Sequence, residues 1–463
     1  MSTSVLTNQL NRTGTSQAFV TRAIDGARLL NRVLFVALLA LTTLVAIPYG
    51  TVEPWWIALY ELSIFAVASF AIVENLLRPT AALSSSALPA NVRNGLASPR
   101  AVLQSFWAAP AIFLIFIYIQ SLTISADPFE TRLTFFKLLA LLTHAILLYR
   151  CTADTQRLKA VVYTLIAVTT TSAIFGIARH ELQQNEVGFI LPLLERTTGF
   201  AQFINKNHFA LLIEMSLGLT TGLIIAGGIK RQLVAIFVAV IVLMWTALIL
   251  TSSRGALFSM FGQLAFVITL SIWLRRRNRF VFPSAILGVC LLIAVAVGAV
   301  WMGGDLLTTR LEALTGEIRV ETTEPRAGVR RREIWNATWQ LFKQHPVAGS
   351  GFGAYSVAIT KFHDASGKWT PEAAHNDYLE LLATCGIVGT ALALWFSVTF
   401  ILRSRNQLKC HDKFRRAAVL GALTGIFGVV LHNFVDFGLH VTANSVAFVT
   451  LIVVATRNLP KGT

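Results

Sequence analysis

A succession of apolar runs constrains this chain more than any other feature. About twelve stand out, near residues 33–49, 55–77, 106–124, 134–149, 158–178, 208–228, 233–251, 256–274, 281–302, 377–402, 416–434 and 440–456. Crossing a bilayer takes roughly 20 residues of helix. Lipid offers backbone N–H and C=O groups no partner, so such runs must satisfy themselves as helices. Charged residues make up 13% of the chain, against about 25% for a soluble domain. The expected fold is an all-α polytopic membrane protein with about twelve transmembrane helices. A tail over 1–32 precedes nine spans within 33–302, a long loop fills 303–376, three spans occupy 377–456, and 457–463 form a second tail. Residues 1–31 are polar, with no apolar run before them, so no signal peptide is expected.

The formal net charge of +16 suggests nucleic acid until its distribution is followed. Basic residues fall on alternate connections: Arg78, Arg93 and Arg100; Arg150, Arg157 and Lys159; Lys230 and Arg231; Arg275, Arg276, Arg277 and Arg279; Arg403, Arg405, Lys409 and Lys413. This is the bias that keeps positive loops on the cytoplasmic side. It puts both termini in the cytoplasm and the long loop on the outer face, and it argues against a nucleic-acid partner. The four cysteines, Cys151, Cys290, Cys385 and Cys410, form neither a disulfide framework nor a metal spacing.

Loops as long as 303–376 are uncommon without a purpose, so this one reads as a lid or a small extra domain. Within it, Ile334, Trp335, Thr338, Trp339, Leu341 and Phe342 recur at helical spacing, which predicts an amphipathic helix over 329–345 ending before Pro346. With tryptophans on one face and arginines at its start, the helix suits the membrane surface or a cap on the bundle.

Unusual polar residues then gather on the outer face. Arg254, in Thr251-Ser252-Ser253-Arg254-Gly255, occupies a short turn where a cation is out of place unless it snorkels or clamps an anion. Arg330, Arg331 and Arg332 stand in a row before Glu333 and Trp335; they form a solvated face or an anion site, and with Arg254 they suit a diphosphate. His375, with Tyr378, Leu379 and Leu382 expected on one helical face, is either a satisfied histidine or a general base at the water boundary. His432, Asp436 and His440 repeat every four residues, which one helix would align, but Gly438 interrupts and no further ligand cluster supports a metal. Asn205, Lys206, Asn207 and His208 lead into a span, where they would hydrogen-bond glycan or phosphate, or cap the helix.

As an ordered set, these motifs resemble the O-antigen ligase and polymerase superfamily of bacterial inner-membrane glycosyltransferases. The resemblance rests on His375-Asn376-Asp377-Tyr378-Leu379 with Gly386 and Gly389, on Ser253-Arg254-Gly255, and on Arg331-Arg332-Glu333-Ile334-Trp335 with His345-Pro346 and 349–353. Asn205 to Phe209 and His432 to Phe437, continuing to His440 and Asn444, complete it over roughly 195–445. It implies a GT-C-like transferase with no cofactor and no metal, taking an undecaprenyl-diphosphate-linked glycan as donor at the periplasmic face. The acceptor would be lipid A–core in a ligase, or a lipid-linked repeat in a polymerase. Carried over, Arg254 and Arg331, with Arg330 and Arg332 beside it, would hold the diphosphate. His375 would activate the acceptor hydroxyl and Asp436 would support it. Asn205, Lys206, His208, Asn376, Tyr378, His432 and His440 would contact glycan or acceptor.

Two other classes compete. A flippase for the same lipid-linked glycans would place its charges at mid-membrane on broken helices with repeated halves. A scaffold would tolerate loss of His375. A protein O-oligosaccharyltransferase is a further form of the same chemistry.

Overall fold

The computed structural model describes residues 25–77, 106–184, 190, 193–196, 198–275, 331–363 and 371–459. The protein is an all-α polytopic membrane protein. Nine of the described helices are long and apolar enough to cross a membrane. In chain order they begin with α1 (Asp25–Leu44) and α2 (Pro54–Leu77). The shorter apolar α3 (Ala108–Thr123) follows, then α4 (Pro128–Cys151) and α5 (Thr155–Leu182). After these come α6 (Lys206–Ile225), α7 (Val234–Thr251) and α8 (Arg254–Arg275). The amphipathic α9 (Arg331–Gln344) precedes the long α10 (Asp377–Gln407), α11 (Lys413–His432) and the short α12 (Thr442–Thr456). Every expected span within the described residues is met by a helix; the span expected at 281–302 lies outside them. The first helix already includes Asp25, ahead of the expected 33.

The core is built around α6 and α11. Nearly every side chain of α6 is buried, so it is apolar all round rather than on one face. The two helices touch backbone to backbone through glycines spaced by four, Gly218 and Gly222 against Gly421 and Gly425. A Cβ placed on Gly218 would lie 2.3 Å from the Gly425 nitrogen, and one on Gly222 would lie 2.2 Å from the Gly421 Cα. Small residues at this spacing are what let helices pack closely where lipid offers no hydrophobic drive. The outer helices carry exposed apolar side chains, among them Leu62, Phe70, Leu76, Leu394 and Ile401, as lipid-facing surfaces require.

The two ends of the bundle differ in charge. At one, Arg403 reaches the Tyr149 hydroxyl, Arg457 donates to the Thr152 carbonyl at 2.7 Å, and Arg415 donates to the Arg457 and Leu459 carbonyls. There α4, α10 and α12 end. The opposite end, where α10 and α12 begin and α11 stops, carries His375, Asp436 and Arg331.

There α9 packs its apolar face down. Ile334, Ala337, Thr338 and Leu341 are buried, and Ala337 and Leu341 join Tyr355, Ala358, Ile359, Ala374 and Ala383 in one cluster. Of its two predicted placements, the buried face is that of a cap on the bundle. Beyond α9, Gly349 and Gly386 adopt positive φ (73° and 62°) where the 346–353 loop crosses α10. A Cβ on Gly349 would lie 2.2 Å from the Thr384 carbonyl. α10 kinks at Gly386, and Ile387 and Val388 donate to the carbonyls of Pro346 and Val347. Gln120 of α3 seals the crossing, donating to the Ala348 and Thr384 carbonyls and accepting from Phe352 N–H.

Candidate active site

His375 does not share a helical face with Tyr378, as its spacing predicts. It lies just ahead of α10, because Asn376 takes the N-cap and accepts from the N–H groups of Tyr378 and Leu379 at 3.1 and 3.0 Å. His375 itself stands in the left-handed region, φ 52°. The Ala374 peptide before it is held on both sides: its N–H donates to Glu380 Oε2 at 2.8 Å, and its carbonyl accepts from the Trp335 indole at 3.0 Å. A backbone region that non-glycine residues visit rarely thus persists because its surroundings fix it.

The imidazole of His375 is about one third exposed, and its Nδ1 lies 3.9 Å from Oδ1 of the buried Asp436. No hydrogen bond yet closes this gap, and Nδ1 has no other partner. Burial lowers the His375 pKa; Asp436 opposes that shift and the Arg331 guanidinium adds to it. Arg331 lies on α9 one turn before Trp335, whose indole donates to the Ala374 carbonyl next to His375. For Asp436, burial pushes upward, but the neighbouring His432 and the charge of His208 outweigh it and hold the carboxyl down at about 2. Phe437 N–H donates to Oδ1 at 2.9 Å.

The repeat of His432, Asp436 and His440 is not laid on one helix. α11 ends at His432, Asp436 follows in a loop, and His440 closes a 3₁₀ turn over Gly438–His440. His432 Nε2 lies 3.7 Å from Asp436 Oδ2, whereas His440 Nε2 turns to Asp377 and Glu380 at 3.6 and 3.5 Å. His208 joins the group. Its ring lies 5.0 Å from that of Phe437, against which His375 and His440 also pack at 4.8 and 5.6 Å.

Behind His432 stands Glu214, fully buried in α6, with Oε1 2.8 Å from His432 Nδ1. Ser259 donates its hydroxyl to the other carboxylate oxygen. Sequence reasoning passed over this residue, although a lone carboxylate in the apolar run 208–228 is the signal an intramembrane functional group gives. Phe437 falls within the His432–Phe437 motif, but no role follows from the sequence; its ring is what His208, His375 and His440 pack against.

The arginines converge only in part. Arg331 and Arg332 begin α9 and are exposed; Arg330 lies outside the described residues. Arg254 opens α8, next to Gly255, where a Cβ would lie 2.9 Å from His432 Nε2. That glycine brings the start of α8 against His432. Other candidates are engaged within the protein. Asn205 caps α6 through the Asn207 N–H at 2.9 Å, and Tyr378 donates its hydroxyl to the Val430 carbonyl at 2.7 Å. Lys206 opens α6, its N–H donating to the Thr198 carbonyl.

On the far side of the turn lies a cavity of about 430 Å³, walled by apolar side chains such as Trp107, Phe113, Leu141 and Phe352. Asp377, Glu380, Asn433 and His440 form its polar part. Among them the Asn433 side-chain carbonyl is buried with no donor.

Residues 239–394 match the family described as O-antigen ligase. The match spans Arg254, Arg331, His375 and Glu380; it begins after Glu214 and ends before His432 and Asp436. A search of curated proteins found no match to the chain.

Proposed function

We propose, on the match of residues 239–394 to the O-antigen ligase family, one form of the glycosyltransferase activity of the O-antigen ligase and polymerase superfamily. The protein moves a glycan from an undecaprenyl-diphosphate donor to a sugar hydroxyl, working at the periplasmic face of the inner membrane. The observation that carries this reading is His375 facing the buried Asp436, with α9, which carries Arg331, tied to the neighbouring Ala374 carbonyl through Trp335.

In this reading, the Nδ1 of His375 turns to Asp436 and its Nε2 takes the proton of the acceptor hydroxyl. The hydroxyl oxygen attacks the anomeric carbon as the bond to the diphosphate breaks. The electron pair leaves with the diphosphate, whose charge Arg331 and Arg254 meet, with Arg330 and Arg332 near Arg331 in sequence. Asp436 balances the imidazolium that forms, as a buried carboxylate does in other histidine-based sites. Attack opposite the leaving group inverts the anomeric centre. The 3.9 Å gap between His375 and Asp436 suits a site that tightens with substrate.

The carboxylates of Asp377 and Glu380 and the carbonyl of Asn433 are acceptors, so they suit the hydroxyls of an acceptor sugar better than a phosphate. The donor's phosphates belong on the arginine side and the acceptor on the carboxylate side, with His375 between. The basic opposite end of the bundle supports a cytoplasmic placement of that end, and so a periplasmic site.

The test is transfer by the purified chain in detergent, with undecaprenyl-diphosphate-linked repeat as donor and lipid A–core as acceptor. Product formed there, with no membrane to cross, separates a transferase from a flippase. Wild-type turnover from His375→Ala would rule out the assigned base.

A further inference from the structure

We propose that Glu214 is a positioning residue for the transfer: it holds His432, and His432 holds Asp436 with one oxygen turned to His375. The proposal rests on the reading of His375 as base.

The geometry forms a single line. Glu214 Oε1 to His432 Nδ1 is 2.8 Å, His432 Nε2 to Asp436 Oδ2 is 3.7 Å, and Asp436 Oδ1 to His375 Nδ1 is 3.9 Å. A carboxylate oxygen faces each nitrogen of His432, so each nitrogen has an acceptor for an N–H. Glu214 is tied down from behind. Ser259 donates to its Oε2 and Gln263 donates to its backbone carbonyl at 3.1 Å. Room for the His432 ring is left by Gly255, where a Cβ would stand 2.9 Å from Nε2.

Packing alone does not call for this arrangement. The glycine pairs already bring α6 and α11 into contact, and an apolar pair in place of Glu214 and His432 would avoid the desolvation of a buried ion pair. The line also does not end in the core. It ends at His375, whose side chain is about one third exposed and whose Nδ1 has no hydrogen-bond partner. What Glu214 supplies is therefore orientation at a distance: with His432 fixed, Asp436 Oδ2 faces its Nε2 at 3.7 Å, while Oδ1, which also accepts from the Phe437 N–H, is turned to His375.

The experiment is steady-state transfer by the purified full chain in detergent, with the donor and acceptor named above. It compares wild type, Glu214→Gln, Asp436→Asn and the double variant. We expect Glu214→Gln to lower kcat roughly 10- to 100-fold, with KM for both substrates within about twofold. In the Asp436→Asn background the same change has no further effect, because its route to His375 is already cut. A purely structural role would cost the same factor in both backgrounds, and that result overturns the proposal. Wild-type kcat in Glu214→Gln overturns it too. If Glu214→Gln lowers the yield of folded protein, His432→Gln carries the same comparison. Full activity in His375→Ala would instead overturn the base reading on which the proposal rests.

Discussion

Nδ1 of His432 stands 2.8 Å from Oε1 of Glu214, a contact between residues 218 positions apart on helices that cross glycine to glycine. It is a carboxylate and an imidazole at the centre of an apolar bundle, where an unpaired ion would cost several kcal/mol. Its other consequence is local: His432 is fixed where α11 ends, and the loop that carries Asp436 starts from there.

Removing the base tests the site most directly. His375→Ala is expected to lower kcat about 100-fold or more, the range for a general base, while the protein keeps its melting temperature. The side chain is partly exposed and its Nδ1 stands 3.9 Å from Asp436 with no hydrogen bond to lose. Asp436→Asn is expected to lower kcat less than His375→Ala does. Initial rates across substrate concentration check both.

The pH profile follows from the surroundings of His375. Burial lowers its pKa, Asp436 opposes that, and Arg331 adds to it. A base works when unprotonated, so kcat/KM falls only below the ordinary imidazole value of about 6.5. Arg331→Gln removes a cation that disfavours the imidazolium. The His375 pKa then rises, and the acid limb of the profile moves to higher pH. The same variant raises KM for the donor if Arg331 meets its diphosphate. Profiles of wild type and Arg331→Gln, measured side by side, decide this; an unmoved limb removes Arg331 from the neighbourhood of the base.

Gly218 tests the crossing that brings Glu214 to His432. A Cβ there would lie 2.3 Å from the Gly425 nitrogen, a backbone atom that cannot swing away. Gly218→Leu is expected to destabilise the protein by about 1–3 kcal/mol or more through overpacking. Because it forces α6 from α11, transfer is expected to fall as well. Thermal unfolding in detergent and the transfer rate are the two readouts.

Gln120 reports on the loop over α10. Its amide serves the carbonyls of Ala348 and Thr384 and the N–H of Phe352. Gln120→Leu fits the space but leaves those groups without partners, at about 1–3 kcal/mol for a buried unsatisfied group. A lower melting temperature with little change in the pH profile is the expected pattern, since none of these hydrogen bonds involves His375. A shifted acid limb in this variant would contradict that separation.

Much of this was legible in the residues. Apolar length alone marks the spans, because lipid leaves the backbone no alternative to helix. The amphipathic period from Ile334 to Phe342 marks α9. His375 and Asp436 stood out because polar groups at the edge of apolar runs are costly. The start of α10 was legible too, and reading His375 into it overlooked the capping preference of Asn376. The four-residue repeat from His432 to His440 misleads for a comparable reason: helical spacing means nothing once the helix has ended.

By itself, the sequence determines that this chain is an all-α membrane protein with basic connections on one side and a polar cluster around 375–380 and 432–440. Those features follow from local chemistry: hydropathy, helical period and the cost of burying charge. The tertiary structure decides which polar groups meet. Glu214 reaches His432 only because two pairs of glycines let α6 and α11 touch, and His375 faces Asp436 only because α9 and Glu380 hold the Ala374 peptide between them. Contacts between residues so far apart in sequence depend on how the helices pack, and no local pattern encodes that.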